Sequence, residues 1–248
     1  MEIEALRVLD TNYTYVISCV GGCIVIDPGE FEPLDDYLRA HDLNVVATLL
    51  THKHWDHTAG LQDLLAAYPH EVYGGAVEDF DVPVDHLLSH GEVVDIQGVV
   101  IECIHLPGHT MGACGFKIAD NLFTGDVLFG AGCGRIFEGT VDDMLLSMDR
   151  ILQYPDETKI YPGHEYTAGN LKFAAYVEPN NPDIKERMTH SDLLPSTLAV
   201  ERKTNPFLRV NHEEIQQALA LKGVVVTDRA SVLGALRSWK SDFDQEGV

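Results

Sequence analysis

The chain has 248 residues, 45% of them hydrophobic and 23% charged, which is ordinary for a globular protein with one large domain, alone or with a small one. No apolar run approaches the roughly 20 residues of a membrane helix, and residues 1–4 lack the start of a signal peptide, so we expect a cytoplasmic protein with no membrane partner. The net charge of −22 argues against nucleic-acid binding, because such a field repels phosphate backbones; adaptation to salt and simple solubility remain equally open reasons for it.

Short predicted strands separated by glycine-rich turns occupy the first 125 residues. Residues 13–20 and 23–26 are β-rich runs joined by Gly21 and Gly22, which is typical of a hairpin. Residues 45–50 predict a buried strand that leads directly into a histidine-rich segment. The other predicted elements are strands over 99–104, 115–118, 121–123 and 159–161, and helices over 33–40, 58–67 and 141–152. This alternation favours sheets covered by helices on their outer faces.

The chain changes character after about residue 165. Helical patterns separated by Pro and Asn cover residues 170–176, 183–188, 198–202, 213–221 and 231–243. We therefore predict two domains, one over 1–165 and a small α-helical one over 166–248.

Four potential metal ligands stand within six residues that follow the strand predicted over 45–50. Alternate side chains of an extended segment point to the same side, so we expect His52, His54 and Asp56 to converge. His57 follows at the start of a helix and can face a second, adjacent metal. The alternative is a polar helix-entry loop, but a chain with 12 His would rarely place so many ligands together by chance.

Three more potential ligands each follow a predicted strand. His109 lies in a Pro-Gly-His turn, Asp126 follows a Thr-Gly pair, and His164 lies in a second Pro-Gly-His turn. Five His and two Asp, with none of the five Cys spaced for a structural site, indicate a catalytic metal site that keeps a position for water. A water shared by two metals would have its pKa lowered to about 7.

This constellation resembles the metallo-β-lactamase superfamily. The resemblance implies an α/β fold, a four-layer αββα sandwich, here with a C-terminal helical domain. It implies two divalent metal ions per chain, zinc foremost, with iron and manganese as alternatives. It also implies a catalytic role for Asp56, which would both bind a metal and orient the attacking hydroxide. The implied ligands are His52, His54 and His109 for metal 1, Asp56, His57 and His164 for metal 2, and Asp126 as the bridge between them.

A narrower resemblance concerns the substrate. Residues 132–140 look like the substrate loop of glyoxalase II, the hydroxyacylglutathione hydrolase family, and residues 164–167, 170–174, 205–209 and 236–240 are similar to it as well. The resemblance implies hydrolysis of S-D-lactoylglutathione to D-lactate and glutathione, the second step of methylglyoxal detoxification. The implied glutathione contacts are Arg135, Phe137, Tyr166, Arg237 and Lys240.

Several of these positions also have simpler interpretations. Arg237 and Lys240 share one face of a predicted helix and suit the carboxylates of glutathione, yet cations are common at a solvated helix end. Tyr166 alone would be a buried or capping aromatic. Some family members have Tyr at the position of Phe137, so only packing or a backbone contact is expected there. Asp27 is a candidate partner of a ligand histidine or a turn residue.

Other functions compete with thioester hydrolysis. A persulfide dioxygenase shares much of the metal motif, but it would use one iron and would not need the helical tail. A metal-binding module without catalysis is the alternative outside enzymes. A β-lactamase is disfavoured, because the corresponding subclass commonly has Cys in place of Asp126, and a nuclease is disfavoured by the acidic charge. We expect a monomer whose partner is a glutathione thioester.

Overall fold

Two six-stranded β-sheets form the centre of the molecule in the computed structural model, which describes residues 2–246. The strands of the first sheet lie in chain order, antiparallel from β1 to β3 and parallel from β3 to β6. They are β1 (Ile3–Val8), β2 (Asn12–Cys19), β3 (Gly22–Ile26), β4 (Val45–Leu50), β5 (Glu71–Gly75) and β6 (His86–Leu88). The helices between them are α1 (Phe31–Ala40), α2 (Trp55–Thr58) and α3 (Leu61–Ala67).

The second sheet has the order β14-β13-β10-β9-β8-β7. Its first strands are β7 (Val93–Ile96), β8 (Val99–His105), β9 (Cys114–Ile118) and β10 (Asn121–Gly125). A separate hairpin of β11 (Leu128–Phe129) and β12 (Gly132–Cys133) follows, then α4 (Val141–Ile151) and β13 (Lys159–Pro162). The remaining elements are α5 (Thr167–Val177), α6 (Pro182–Arg187), β14 (Ser196–Thr197), α7 (Leu198–Thr204), a 3₁₀ turn (Pro206–Leu208), α8 (Glu213–Leu221) and α9 (Arg229–Glu246).

Apolar side chains divide the molecule into four layers. One buried cluster, which includes Ile24 and Phe116, joins the inner faces of the two sheets. A second cluster packs α1 and α3 on the outer face of the first sheet, through residues such as Leu34. A third packs α4 and the C-terminal helices on the outer face of the second sheet. The predicted αββα sandwich with a helical C-terminal region is therefore confirmed.

The C-terminal region shares its core with the preceding residues. Phe173, Phe207 and Trp239 belong to the same buried cluster as Met144 and Met148 of α4. In addition, β14 pairs with β13 and so extends the second sheet. The division at residue 165 thus separates chain segments with different secondary structure but not separate hydrophobic cores.

One predicted helix is wrong in its extent. Residues 58–67 form the end of α2 and, after a break, α3. The backbone N–H of Gly60 donates to the carbonyl of Pro28 at 2.8 Å, and a Cβ on Gly60 would lie 2.8 Å from the backbone of Glu30. Only glycine allows this close approach, because any side chain would collide with the neighbouring backbone. The helix ends at this approach.

The sequence reading also missed several short strands, namely β1, β5, β6, β7, β11, β12 and β14. In β1 five of the six residues are at least partly exposed, so the strand lacks the apolar alternation by which strands are recognised.

No helix within residues 2–246 combines the length and the apolar character that crossing a membrane requires.

Candidate metal centre and adjoining cavity

The ends of four strands place the predicted ligands at one edge of the two sheets. His52 and His54 follow β4, His109 follows β8, Asp126 follows β10, and His164 follows β13. Strand ends are held by sheet hydrogen bonds, so the loops that leave them present side chains from fixed positions.

Three histidines form the first cluster. Nδ1 of His54 lies 3.0 Å from Nε2 of His52 and 3.0 Å from Nε2 of His109. Nitrogen atoms this close, on three rings, suit a shared metal ion. The predicted ligand set of metal 1 is therefore brought together, with His54 facing the cluster through Nδ1 and the other two through Nε2.

A second cluster lies beside the first. Oδ2 of Asp56 is 3.3 Å from Nε2 of His164 and 3.6 Å from Nε2 of His57. Asp126 approaches both clusters, with Oδ2 3.5 Å from Nε2 of His109 and 3.3 Å from Nε2 of His164. The expectation that Asp56 converges with His52 and His54 is wrong, because Asp56 lies in α2, where the extended geometry of the preceding residues has ended.

Two buried polar atoms of the second cluster make no hydrogen bond within the described part of the chain, and this indicates whether a metal ion fits the site. Nε2 of His57 and Oδ1 of Asp126 lie 3.3 Å apart, yet within residues 2–246 neither makes a hydrogen bond. Leaving a buried polar group unsatisfied costs about 1–3 kcal/mol. Metal coordination would satisfy both atoms, so this donor set fits a pair of metal ions.

The remaining nitrogen of His57 is fixed by Asp27. The carboxylate of Asp27 accepts from Nδ1 of His57 at 3.0 Å, and from the backbone N–H and the hydroxyl of Thr51 at 2.8 and 2.6 Å. Because the Thr51 hydroxyl gives its proton to Asp27, its oxygen can accept from Nδ1 of His52, 3.0 Å away. Both histidines therefore keep Nε2 free as a metal ligand. Asp27 therefore contacts the predicted ligand His57 and is not simply a turn residue.

The other ligands have partners of the same kind. Nδ1 of His109 donates to the backbone carbonyl of Arg135 at 2.8 Å, and Nδ1 of His164 lies 3.0 Å from the hydroxyl of Thr11. The Asn12 amide donates to Oδ2 of Asp56 at 2.9 Å. Thr11 and Asn12 contact predicted ligands, and the sequence analysis missed them because contacts across 153 and 44 residues leave no local signal.

Burial sets the protonation of part of the first cluster. Removal from water lowers the pKa of His52 and of His109, and neighbouring histidines act in the same direction. Both rings are therefore neutral at neutral pH, which is the form that binds metal.

The second cluster behaves in the opposite way. Burial alone would lower the pKa of His57 and His164, but nearby carboxylates, Asp126 foremost, raise the pKa of both rings. Burial would likewise raise the pKa of Asp56 and Asp126, yet the two histidines hold the pKa of both carboxyls below its usual range. The histidines and carboxylates of this cluster therefore stabilise each other's charged forms. A metal would displace the protons that the histidines retain.

Gly163 is required by the geometry of the turn that carries His164. A Cβ at this position would lie 2.5 Å from Oδ1 of Asp126 and 2.7 Å from Cε1 of His57. Any side chain would therefore enter the ligand cluster itself, which explains the glycine in this Pro-Gly-His turn.

A cavity of about 780 Å³ extends from the metal ligands to the C-terminal helix α9. At one end its wall includes His54, Asp56, His109, Asp126 and His164. Elsewhere the wall includes all five predicted substrate contacts, together with Asp244, which sequence reasoning also missed. A cavity of this size is in the range of small-molecule sites.

Two aromatic members of the wall pack on the rings of predicted ligands. The Phe137 ring lies 5.8 Å from that of His54 and 5.2 Å from that of His109, and it is 61% exposed. Tyr166 stacks on His164 at 4.8 Å with an interplanar angle of 8°. Tyr166 precedes α5 at the N-cap position, but its side chain makes no capping hydrogen bond and it is 41% exposed, so it is neither a buried aromatic nor a side-chain cap.

The cationic members lie on α9 and on the loop after β12. Nη1 of Arg237 donates to the carbonyl of Cys133 at 2.8 Å. The Lys240 side chain is only 7% exposed and pairs with Asp244. The interpretation of Lys240 as a cation at an ordinary solvated helix end is therefore wrong.

Comparison with known proteins agrees with this geometry. The family described as the metallo-beta-lactamase superfamily matches residues 6–164, and the family described as the hydroxyacylglutathione hydrolase C-terminus matches residues 165–243. Among solved structures, ETHE1 from Myxococcus xanthus has a TM-score of 0.68 at 23% identity, over 97% of this chain and 98% of that one. TTHA1623, solved in a di-iron-bound form, has a TM-score of 0.63 at 25% identity, over 84% of this chain and 100% of that one.

Relatives of similar length extend this match to the whole chain. A hydroxyacylglutathione hydrolase from Vibrio campbellii is 37% identical over 98% of this chain and 100% of its own length. Another from Nitrosomonas europaea is 38% identical over 98% of this chain and 97% of its own length. The chain therefore belongs to the hydroxyacylglutathione hydrolase family within the metallo-β-lactamase superfamily.

Proposed function

We propose that this protein hydrolyses S-D-lactoylglutathione and related 2-hydroxyacylglutathione thioesters to the 2-hydroxy acid and glutathione, the second step of methylglyoxal detoxification. The observation that carries the proposal is a single cavity that joins the metal ligands to Arg135, Arg237 and Lys240. A thioester centred on the ligands would extend its peptide toward cations that suit two carboxylates. The names of the full-length relatives support the same substrate.

Two divalent metal ions are proposed for the two clusters, with Asp126 shared between them. Five His and two Asp suit zinc, with iron and manganese as alternatives. The di-iron form of TTHA1623 supports a paired site. When bound, the ions would acidify a water molecule and polarise the thioester carbonyl.

Asp56 orients the reaction in this proposal. Its low pKa keeps the carboxylate ionised, and the Asn12 amide holds Oδ2 at 2.9 Å. Asp56 is therefore placed to accept a hydrogen bond from the attacking water and to direct the oxygen lone pair toward the carbonyl carbon. The C–O bond forms and the C–S bond breaks, and the thiolate leaves with the bonding electron pair, without strong help from an acid because a thiol is more acidic than an alcohol or an amine. Of the two protons of the water, one ends on the thiol and the other is released as the hydroxy acid ionises.

The substrate contacts divide by chemistry. Arg135, Arg237 and Lys240 are proposed to bind the carboxylates of glutathione. Phe137 lacks the hydroxyl of a tyrosine, so its contribution is packing against the substrate and against the rings of His54 and His109. The ring of Tyr166 covers His164 and lines the cavity, and its hydroxyl lies 3.5 Å from that of Thr11.

A single assay on metal-loaded protein tests the proposal. We expect lactoylglutathione to be converted to equal amounts of D-lactate and free thiol, and chelation to abolish the reaction. Oxygen consumption with glutathione persulfide, carried by one bound iron and without thioester hydrolysis, would assign the chain to the competing dioxygenase chemistry. Failure of the metal-loaded protein with both substrates would indicate a binding module.

A further inference from the structure

A buried acid lies next to the loop that carries His109. Glu78 follows β5 of the first sheet, and its side chain is only 2% exposed. Its Oε2 accepts a hydrogen bond from the hydroxyl of Thr110, the residue after His109. Its Oε1 lies 3.6 Å from Nζ of Lys53, the residue before His54. Both partners of Glu78 are therefore chain neighbours of predicted ligands of the first metal ion.

The contact with Thr110 joins the two sheets beside the first cluster. His52 and His54 follow β4 of the first sheet, whereas His109 follows β8 of the second. A metal ion that binds all three histidines requires the loops of both sheets to keep a fixed separation. Because Glu78 comes from the first sheet, its contact ties the His109 loop to the sheet that carries the other two ligands.

The backbone of Glu78 packs against the same loop. A Cβ on Gly112 would lie 2.2 Å from Cα of Glu78 and 2.3 Å from its backbone nitrogen, so only glycine permits this approach. Thr110 is completely buried, and its carbonyl accepts from the backbone N–H of Gly108 at 3.0 Å. The loop is thus held against Glu78 by its backbone as well as by the Thr110 hydroxyl.

The ring and the backbone of His109 are held by different groups. The carbonyl of Arg135 accepts from Nδ1 of the ring at 2.8 Å and so fixes the orientation of the ring. Glu78 fixes the position of the adjacent residue in the chain. An apolar side chain could fill the place of Glu78 without the cost of burying an acid, so the carboxyl group is explained by its contacts.

We propose that Glu78 is a positioning residue for the first metal ion, which it serves by holding the His109 loop through Thr110. The contact with Lys53 contributes less, because the Lys53 side chain is 26% exposed and lies 3.6 Å away. Loss of an outer contact of a metal ligand lowers metal affinity by about 10- to 100-fold. Glu78 acts one residue away from the ligand, so we expect the lower end, about tenfold. This inference rests on the proposed pair of metal ions.

Zinc binding tests the inference independently of turnover. The measurement titrates metal-free protein with zinc against a competing chelator. In a His164→Ala background, which leaves the first cluster complete, Glu78→Ala should lower zinc affinity about tenfold. In a His54→Ala background, which leaves the second cluster complete, the same change should alter zinc affinity by less than about twofold. A general structural role would lower the affinity in both backgrounds.

Further variants identify the contact that matters. Glu78→Gln keeps an oxygen that can accept from Thr110, so it should recover most of the affinity. Thr110→Val removes the hydroxyl and should cause the same loss as Glu78→Ala. The double variant should lose no more than either single variant, because both changes break the same contact. Glu138→Gln is the matched control, since Glu138 also pairs with Lys53 but contacts Met111 in place of Thr110, and it should keep the affinity.

Unchanged zinc affinity in a folded Glu78→Ala variant, or an equal loss in both backgrounds, would overturn the inference while thioester hydrolysis stands. Additive losses in the double variant would overturn it too, because Glu78 would then act independently of Thr110. Should Glu78→Ala fail to fold, Thr110→Val in the two backgrounds gives the same comparison. Two zinc ions bound by the wild type without thioester hydrolysis would instead reject the proposed function.

Discussion

The two ends of the cavity are built in opposite ways. At the metal end, His52, His57 and His109 are almost completely buried, and each has its second ring nitrogen bonded to a fixed partner. At the α9 end, Arg237 and Lys240 have few partners, and Asp244 is 40% exposed. The metal end is organised before the substrate arrives, whereas the α9 end offers charges that the substrate can complete.

This difference predicts different effects of substitution at the two ends. Changes at the metal end should lower metal content and kcat, since the chemistry depends on exact placement. Changes at the α9 end should alter KM alone.

The largest effect is expected for Asp126→Asn. Asp126 approaches both clusters, so its loss should lower metal occupancy at both sites and reduce activity on the order of a thousandfold. His164→Ala should chiefly weaken the second site. Elemental analysis and turnover numbers measure both, with Asp120→Asn, at an exposed turn, as a control. Full metal occupancy of both sites in the Asp126→Asn protein would contradict the role of Asp126 as a shared ligand.

Asp27→Asn tests a residue that holds the predicted ligand His57 and the neighbouring Thr51. Asparagine tolerates the φ of +50° at this position, but its amide cannot accept all three hydrogen bonds of the carboxylate. Metal affinity or activity should fall by about 10- to 100-fold. Asp42→Asn, at φ +51° on the surface, is the matched control and should be neutral. An equal effect of both variants would point to backbone strain instead.

The double change Arg237→Ala, Lys240→Ala tests the α9 end. KM for lactoylglutathione should rise at least about tenfold with kcat nearly unchanged, because charged hydrogen bonds to a non-reacting part are lost. Added salt should mimic part of the loss. A small thioester without the peptide should be unaffected by the mutations. A similar response of both thioesters would make this end purely structural.

Metal loading should depend on pH differently in the two clusters. A raised pKa means that His57 and His164 stay protonated to higher pH, so a metal must displace their protons. A lowered pKa leaves His52 and His109 neutral. As the pH falls toward 6, the affinity for the second equivalent of metal should therefore decrease before the affinity for the first. Calorimetry in buffers of different ionisation enthalpy should show more protons released by that equivalent, and equal release by both would contradict this.

The smallest effect is expected at Glu138. It accepts from Lys53 at 2.8 Å and from the N–H of Met111 at 3.1 Å, but both charged side chains are partly exposed. Glu138→Gln should lower the free energy of unfolding by at most about 1 kcal/mol. Thermal melts measure the change, and metal content should not alter. A loss of metal in this variant would show that the Lys53 bridge positions the ligand loop.

The contrast between the two ends also explains how much of the molecule the sequence predicted. The predicted ligands are dense in His52–His57 and otherwise follow strands, so local patterns identified the candidate residues, whereas their division into two clusters came from the family resemblance. Local patterns could not predict that Asp56 leaves the extended segment, since α2 is one helical turn long. The hydrogen bonds of Thr11 and Asn12 and the pairing of β14 were missed because they depend on contacts between distant parts of the chain.

The central claim is that the two metal ions and the cavity wall on α9 act together in the hydrolysis of one thioester substrate. The most direct measurement is the rate of lactoylglutathione hydrolysis by metal-free protein as zinc is added back, followed together with bound metal per chain. We expect the rate to keep rising until two ions are bound, with D-lactate and thiol formed in equal amounts. A rate that saturates with one ion bound, or full metal loading without thioester hydrolysis, would contradict that claim.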